Sequence, residues 1–163
     1  MPSEHKNEFG QPVGRPVENW QECPMPPRSD MAGRHVIVSP TDVKRDARQL
    51  FDANREAMDG SRFTYLFTDA FEDFDAYQAW LETMAATRDP MLHTIIDKAS
   101  GTAVGIAAFM RIDTKFGGIE IGNINYSPAL SKTIGGTAAM YLMMKRAFDE
   151  LGYRRYEWKC DDQ

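Results

Sequence analysis

The sequence predicts an α/β (α+β) domain built on a mixed, mostly antiparallel sheet with helices on both of its faces. Three apolar runs, starting at residues 91, 102 and 119, are separated by short turns, which is typical of an antiparallel meander. The third run is followed by a helical segment and a further strand within about 35 residues, an order that implies a parallel pair with a right-handed crossover.

The composition of the chain is typical of a globular domain and argues against several classes of partner. The chain has 163 residues, a net charge of −5 and 42% hydrophobic residues, which fits one globular domain. It has no basic block, no apolar run of about 18 residues and no apolar leader, so we expect neither nucleic acid nor a membrane as a partner. Cys23, Cys160 and the three histidines do not cluster, so we expect no metal site and two free thiols in a reducing, cytoplasmic compartment.

Residues 1–33 are predicted to form an extended, proline-rich arm. Six of the nine prolines fall in this segment, and proline at such density prevents helices and strand ladders. We expect the arm to lie on the surface of the domain formed by residues 34–163, anchored by Val17 and Trp20.

The domain is predicted to open with a strand and a helix. Arg34–Val38 reads as a short strand. The sequence Ser39-Pro40-Thr41-Asp42 predicts a helix start, with Ser39 as the N-cap and a proline in the first turn. Helical spacing of apolar residues continues to about Glu56, and Asp59-Gly60 is expected to end the helix.

Two aromatic-rich segments follow. Arg62–Phe67 is expected to form either a short strand or an ordered loop. A second helix is predicted over about Asp73–Thr87, because apolar residues recur there at helical spacing. The buried stripe is expected to consist of Phe74, Tyr77, Leu81 and Met84, with Trp80 beside them.

The central strands include one irregular strand. Met91–Asp97 and Thr102–Ile112 are predicted to form a hairpin. In the next strand, Ile119–Tyr126, the alternation of apolar residues slips by one residue around Gly122 and Asn123. A single extra residue that reverses the phase indicates a β-bulge, which leaves backbone groups unpaired.

A polar loop with Gly135 and Gly136 joins this strand to a helix predicted over about residues 135–151. The first N–H groups of a helix have no partner inside it, and glycines there would let a ligand approach the backbone. One face of the helix is predicted to pack on the sheet, through Tyr141, Met144, Phe148 and Leu151. The opposite face is expected to lie in water, with Lys145, Arg146, Asp149 and Glu150.

A last strand is predicted to complete the sheet. Gly152 is the expected stop of the preceding helix, and Arg154–Cys160 has the composition of a strand. We expect the sheet to open where the bulged strand and this last strand diverge.

The bulged strand, loop and helix resemble the acetyl-CoA motif of the GCN5-related N-acetyltransferases, and more narrowly the branch of ribosomal-protein and small-molecule N-acetyltransferases. The flanking sequences carry the resemblance most strongly, GIEIGNINYSPAL before the loop and TAAMYLMMKRAFDELGYRRYEWKCD after it. The family's loop reads Gln/Arg-x-x-Gly-x-Gly/Ala; Gly136 matches its last position, and Ser131 and Ile134 differ from it. The resemblance covers residues 34–163 and implies an acyl-CoA N-acyltransferase-like fold.

The resemblance implies transfer of an acetyl group from acetyl-CoA to a primary amine of a small molecule or a protein N-terminus. The pantetheine amide is expected on the backbone of Ile124, Asn125 and Tyr126. The pyrophosphate is expected on the N–H groups of the loop, those of Lys132, Thr133, Ile134, Gly135, Gly136 and Thr137. A backbone N–H near Ile124 would stabilise the oxyanion, and Lys132 would add a point charge on phosphate.

The resemblance also implies an acceptor pocket and a base. Glu120 is the nearest carboxylate and the candidate general base; an equal alternative is a polar residue on the exposed face of a strand. Asp161 and Asp162 are further options. In the family, the region between the first strand and the second helix walls the acceptor pocket, which makes Tyr65, Phe67 and Phe71 candidate substrate-facing residues.

Members of the family usually continue with a loop, a helix and two strands. We therefore expect the sequence to lack that last helix and two strands, and the final strand to offer an open edge for self-association. Two alternatives to an active transferase stay open. One is a catalytically inactive relative that acts as a CoA-binding or protein-interaction module, and the other is an α/β domain unrelated to CoA.

Overall fold

Eight strands form a small hairpin and a central sheet in the computed structural model, which describes residues 5–56 and 60–160. The hairpin pairs β1 (His5–Lys6) with β2 (Pro12–Val13). The sheet contains, side by side in chain order, β3 (Met31–Ala32), β4 (Val36–Pro40), β5 (Met91–Asp97), β6 (Ala103–Asp113), β7 (Gly118–Tyr126) and β8 (Arg155–Trp158). Neighbours from β3 to β7 are antiparallel and β8 is parallel to β7, which confirms the predicted mixed sheet.

Helices cover both faces of the sheet, as predicted. On one face, α1 (Val43–Arg55) and α2 (Phe74–Ala86) enclose a core with Leu50, Leu81 and Leu92. On the other face, α3 (Ile134–Lys145) continues into a π-helical turn, Arg146–Glu150, above a second core with Val38, Phe109 and Met143. None of the helices in the described ranges is long and apolar enough to cross a bilayer.

Before α2, one local prediction needs correction and one open alternative is decided. Asp42 caps α1, because its carboxylate accepts from the backbone N–H groups of Lys44 and Arg45, whereas Ser39 and Pro40 belong to β4. Pairing with β5 keeps the chain extended through Pro40, so Ser39 cannot act as the cap. Arg62–Phe67 forms an ordered loop that opens with a 3-10 turn, Ser61–Phe63, and not a strand.

The predicted orientation of α3 is wrong. Tyr141 is 60% exposed and Phe148 is 40% exposed, whereas Ala139, Met143 and Ala147 are buried. The two alanines lie on the side against the sheet, where small side chains let a helix approach closely, so the bulky residues are left outside. Arg146, predicted in water, is buried as well.

The arm is held against the domain by side chains from distant parts of the chain. Arg146 donates hydrogen bonds to the carbonyl groups of Ser29 and Asp30, at 3.1 and 2.9 Å. The indole N–H of Trp20 donates to the carbonyl of Lys115 at 2.7 Å, so the predicted anchor is present, while Val17 is half exposed. Met31–Ala32 belong to the sheet, although the division of the chain at residue 33 stays a prediction.

Candidate active site

Strands β7 and β8 separate at the position where β7 bulges. Their parallel pairing runs from Gly118 with Arg155 to Ile121 with Trp158 and then ends. On the other side of β7, Gly122 pairs with Ala108 and Asn125 pairs with Ile106. Between these two pairs β7 contains one residue more than β6. Asn123 has φ of +48°, a left-handed conformation that asparagine tolerates better than most residues. The predicted bulge and the predicted opening are both confirmed.

A cavity of about 580 Å³ fills the opening, and we call it the wedge cavity. The end of β7, the end of β8, the loop and the first turns of α3 contribute its walls. Its lining contains Tyr126, Lys132, Thr133, Ile134, Gly136, Thr137, Met140 and Trp158. Six of the nine predicted cofactor-binding residues therefore lie around one cavity.

The loop presents a short run of free backbone donors to this cavity. The N–H of Gly136 donates to Thr133 Oγ1 at 3.2 Å, and the N–H of Thr137 donates to the carbonyl of Thr133 at 3.3 Å. Within the described residues, the four preceding N–H groups, at positions 132–135, have no hydrogen-bond partner. Thr133 is the N-cap of α3, so these donors lie at the positive end of the helix dipole, which favours an anion.

The two glycines have a packing role that differs from the predicted one. A Cβ on Gly136 would lie 2.9 Å from Cε2 of Tyr126 and 3.0 Å from the carbonyl oxygen of Leu130. A Cβ on Gly135 would lie 3.2 Å from Val36 Cγ1. Their missing side chains therefore let the start of α3 approach Tyr126 and the core, while the approach of a ligand to their backbone stays a prediction.

The predicted pantetheine-binding segment lies at the end of β7. Ile124 and Tyr126 pack against the core under α3, and the side chain of Asn125 is buried. Asn123 and Ile124 have no register partner on β6 because they belong to the bulge. The carbonyl of Tyr126 accepts a hydrogen bond from Nη1 of Arg62 at 2.9 Å, so the loop after α1 is fastened to this segment.

A second cavity, of about 440 Å³, lies beside the bulge, and we call it the Glu120 cavity. Tyr65 and Phe67, two of the predicted substrate-facing residues, line it together with Glu120 and Ile124. Trp158 lines both this cavity and the wedge cavity, so the two cavities adjoin at the end of β8.

Glu120 forms ion pairs with two cationic side chains of its cavity. Its side chain is buried, and Oε2 lies 2.6 Å from Nη1 of Arg111 and 3.1 Å from Nζ of Lys159. Burial alone would raise the pKa of this carboxyl, but the hydrogen bonds from Arg111 and Lys159 outweigh burial and hold the pKa below its ordinary value. The alternative of an exposed polar side chain is therefore wrong, although the role of Glu120 as a base stays a prediction.

Asp89 positions one of these cations. Its carboxylate accepts hydrogen bonds from the backbone N–H groups of Arg111 and Ile112, at 2.8 and 2.9 Å. Arg111 has φ of +48° and lies in a second irregularity of the β6–β7 ladder. The carboxylate thus supports a left-handed backbone from which the guanidinium reaches Glu120.

Phe71 does not join the cavity. Its ring packs on Tyr77 and Trp80, with centroids 5.4 Å apart in both pairs, so it belongs to the aromatic cluster of α2. This difference could not be predicted from the sequence, because Tyr65, Phe67 and Phe71 all lie in one aromatic segment. Asp161 and Asp162, the other candidate bases, lie outside the described residues.

The residues of the two cavities that were not predicted from the sequence include three cations and an indole, those of Arg62, Arg111, Lys159 and Trp158. Lys159 and Trp158 follow from the parallel register, which places the end of β8 beside Glu120. That register could have been drawn from the predicted crossover. Arg62 and Arg111 depend on a loop and a bulge, for which the sequence pattern offers no signal.

Comparison with solved structures places the fold among known proteins, while no protein-family model and no curated protein matches the sequence. A GCN5-related N-acetyltransferase from Brucella melitensis superposes with a TM-score of 0.87 at 38% identity, over 90% of this chain and 66% of that one. A probable acetyltransferase of the GNAT family from Chromobacterium violaceum superposes with a TM-score of 0.82 at 36% identity. That match covers 93% of this chain and 75% of the Chromobacterium protein.

A more distant structure shares the fold alone. The microcin C7 self-immunity acetyltransferase MccE, solved in complex with acetyl-CoA and AMP, superposes with a TM-score of 0.69 at 15% identity, over 85% of this chain and 77% of that one. Sequence identity above 30% over most of the Chromobacterium protein is sufficient to assign this chain to the same family. The chain belongs to the GCN5-related N-acetyltransferase (GNAT) family.

Proposed function

We propose that this protein transfers the acetyl group of acetyl-CoA to a primary amine, carried by a small molecule or by a protein N-terminus. One observation carries the proposal: pairing of β7 with β8 ends at Ile121 and Trp158, and the opening faces free N–H groups at the start of α3. Membership in the family supports acetyl transfer, and the complex of MccE with acetyl-CoA supports this donor.

The donor would occupy the wedge cavity. Its pantetheine amide would pair with the free edge of β7 between Ile124 and Tyr126, and its pyrophosphate would accept from the N–H groups at positions 132–135. Lys132, which lines the cavity, would add a positive charge. The N–H groups of Gly136 and Thr137 are occupied by Thr133, so they would contribute little.

The acceptor would enter from the Glu120 cavity, between Tyr65 and Phe67, and meet the thioester near Trp158. A neutral amine attacks the carbonyl carbon, and the N–H of Ile124 stabilises the oxyanion. As the C–N bond forms and the C–S bond breaks, the nitrogen loses a proton to Glu120 through water, and the departing thiolate takes up a proton to leave as CoA.

Two measurements test this function. The melting temperature of the chain should rise with CoA, because a ligand that binds only the native state stabilises it. Acetyl-CoA with a panel of primary amines should then release free thiol. A melting temperature that does not change when CoA is added would contradict the proposal.

An inactive relative that binds CoA or a protein partner is the second candidate, and the open edge of β8 favours it. Within residues 5–56 and 60–160, Arg155–Trp158 pair with β7 alone, and Tyr141, Met144 and Phe148 are exposed on the neighbouring helix. An unpaired edge beside apolar side chains is a template for self-association. Stabilisation by CoA without thiol release, together with a concentration-dependent dimer in light scattering, would favour this candidate.

A further inference from the structure

The Glu120 cavity carries more positive than negative charge. Among the described residues, three cationic side chains line it, those of Arg62, Arg111 and Lys159, against one carboxylate, that of Glu120. Arg111 and Lys159 share that carboxylate. Arg62 has no carboxylate within ion-pair distance among residues 5–56 and 60–160, so no described side chain neutralises its charge.

Arg62 is held in place by the backbone of β7. Nη1 donates to the carbonyl of Tyr126 at 2.9 Å, and the side chain is half-buried at the wall of the cavity. A guanidinium has five N–H donors in a fixed planar fork, and this bond uses one of them. The remaining donors suit an anionic group, since Arg binds carboxylate and phosphate in a bidentate manner.

A smaller cavity of about 260 Å³ adjoins the first and is mainly apolar. Phe67, Met110 and Asn123 line both cavities, and Trp80, Met84 and Ile106 line the smaller one alone. An acceptor bound at Arg62 would therefore have an apolar space beside it.

From these features we infer that the acceptor is an amine that also carries an anionic group, bound by Arg62, and an apolar body, bound at Phe67 and Met110. The inference rests on the proposed transferase function. The cations of the cavity would serve the reaction as well, because positive surroundings disfavour the protonated form of the amine.

The test compares acceptors with and without the anionic group, with kcat/KM calculated for the neutral amine form of each, because removing the group also changes the pKa of the amine. Phenylalanine is paired with phenylalaninamide, and O-phosphotyramine with tyramine, so the two arms distinguish a carboxylate from a phosphate; alanine tests the apolar body. We expect kcat/KM for the anionic member of at least one pair to exceed that of its neutral partner at least about ten-fold. Phenylalanine should also exceed alanine.

Variants assign the preference to Arg62. In Arg62→Gln the preference should fall to within about two-fold through a rise in KM for the anionic acceptor, and Arg62→Lys should keep part of it. Arg34→Gln removes the same charge from the exposed surface and should leave the preference unchanged. The rise in melting temperature with CoA, measured for each variant, shows whether the donor site is intact.

The outcomes separate the two levels of the proposal. Thiol release that is equal or faster with the neutral acceptors overturns the inference and leaves the transferase in place. A preference that persists in Arg62→Gln overturns the assignment to Arg62. A chain that releases no thiol with any amine overturns the transferase function and the inference with it.

Discussion

The hydroxyl of Tyr126 donates a hydrogen bond to the carbonyl of Gly136 over 3.0 Å, and the tyrosine ring lies against the Cα of that glycine. This contact joins the end of the bulged strand to the first turn of α3. The two sides of the wedge cavity are therefore fixed to each other. Burial also raises the pKa of Tyr126, so the hydroxyl keeps its proton and remains a donor at physiological pH.

Replacing Gly136 should disturb this joint. In Gly136→Ala the added methyl would overlap the Tyr126 ring, so we expect a loss of about 1–3 kcal/mol in the free energy of unfolding, measured in urea. The stabilisation by CoA should shrink as well. Gly14→Ala is the control, because no atom lies within 4 Å of the added Cβ. A Gly136→Ala variant with the stability and CoA response of the parent would contradict this account of the site.

Lys132 should contribute charge to the donor site. It is exposed, lines the wedge cavity and adjoins the four free N–H groups, so Lys132→Gln should weaken CoA binding about two- to ten-fold in calorimetry. The effect should diminish at high salt, since exposed charges are screened. Lys145→Gln removes an equal charge from the exposed part of α3 and should bind like the parent. Equal losses in both variants would mean that net charge alone is responsible.

Glu120 should remain ionised throughout the range in which the enzyme is assayed. Its pKa is held below the ordinary value by Arg111 and Lys159, so the fall in kcat/KM between pH 9 and pH 6 should follow protonation of the amine acceptor. Glu120→Gln should lower kcat about 100-fold without moving that limb of the pH profile. Glu157→Gln alters the neighbouring residue on β8 and serves as the control. An unchanged kcat in Glu120→Gln would remove this residue as the base.

His93 should make the protein sensitive to acid. The ring is fully buried, and its pKa is lowered from 6.5 to about 4, mainly by burial. The charges of Arg146 and Arg28 also lower the pKa, whereas the hydrogen bond to Met91 and the charge of Asp30 act to raise it. The unfolded chain therefore binds a proton at a pH where the folded one does not. The contribution of His93 to the free energy of unfolding has its full value above pH 6.5 and is lost as the pH falls towards 4. The expected loss between pH 7 and pH 5 is about 2 kcal/mol.

Urea titrations at the two pH values measure this loss. His93→Gln has no titrating group at the position, so its free energy of unfolding should fall by about 2 kcal/mol less over the same interval. His35→Gln replaces an exposed histidine and should behave like the parent. A parent protein as stable at pH 5 as at pH 7 would show that His93 is protonated at little cost in the folded state.

The alternation of apolar residues along single strands predicted the local structure correctly. The phase slip around Gly122 and Asn123 located the bulge, because side chains alternate strictly across a sheet and one extra residue must reverse them. Strand β5 was predicted with its observed limits, since short turns and a proline bound it. The wedge then followed from the parallel crossover, which requires two neighbouring strands that part beyond the bulge.

Features that depend on contacts between distant residues could not be predicted. Arg146 looked like a surface residue of α3 until the arm supplied the carbonyl groups that surround it. The sequence pattern predicts the wrong face of α3, because the small residues Ala139 and Ala147, and not the bulky ones, make the close approach to the sheet. Likewise, Gly136 is explained by Tyr126, which lies ten residues earlier in the chain.

The short strand β3 has a consequence for assembly. It forms one border of the sheet and offers only two residues of backbone for pairing, whereas β8 forms the opposite border. Very short edge strands resist further addition. Within residues 5–56 and 60–160, copies that met through β8 would form a two-fold pair with the short strand β3 at each outer border, which disfavours growth into a ribbon.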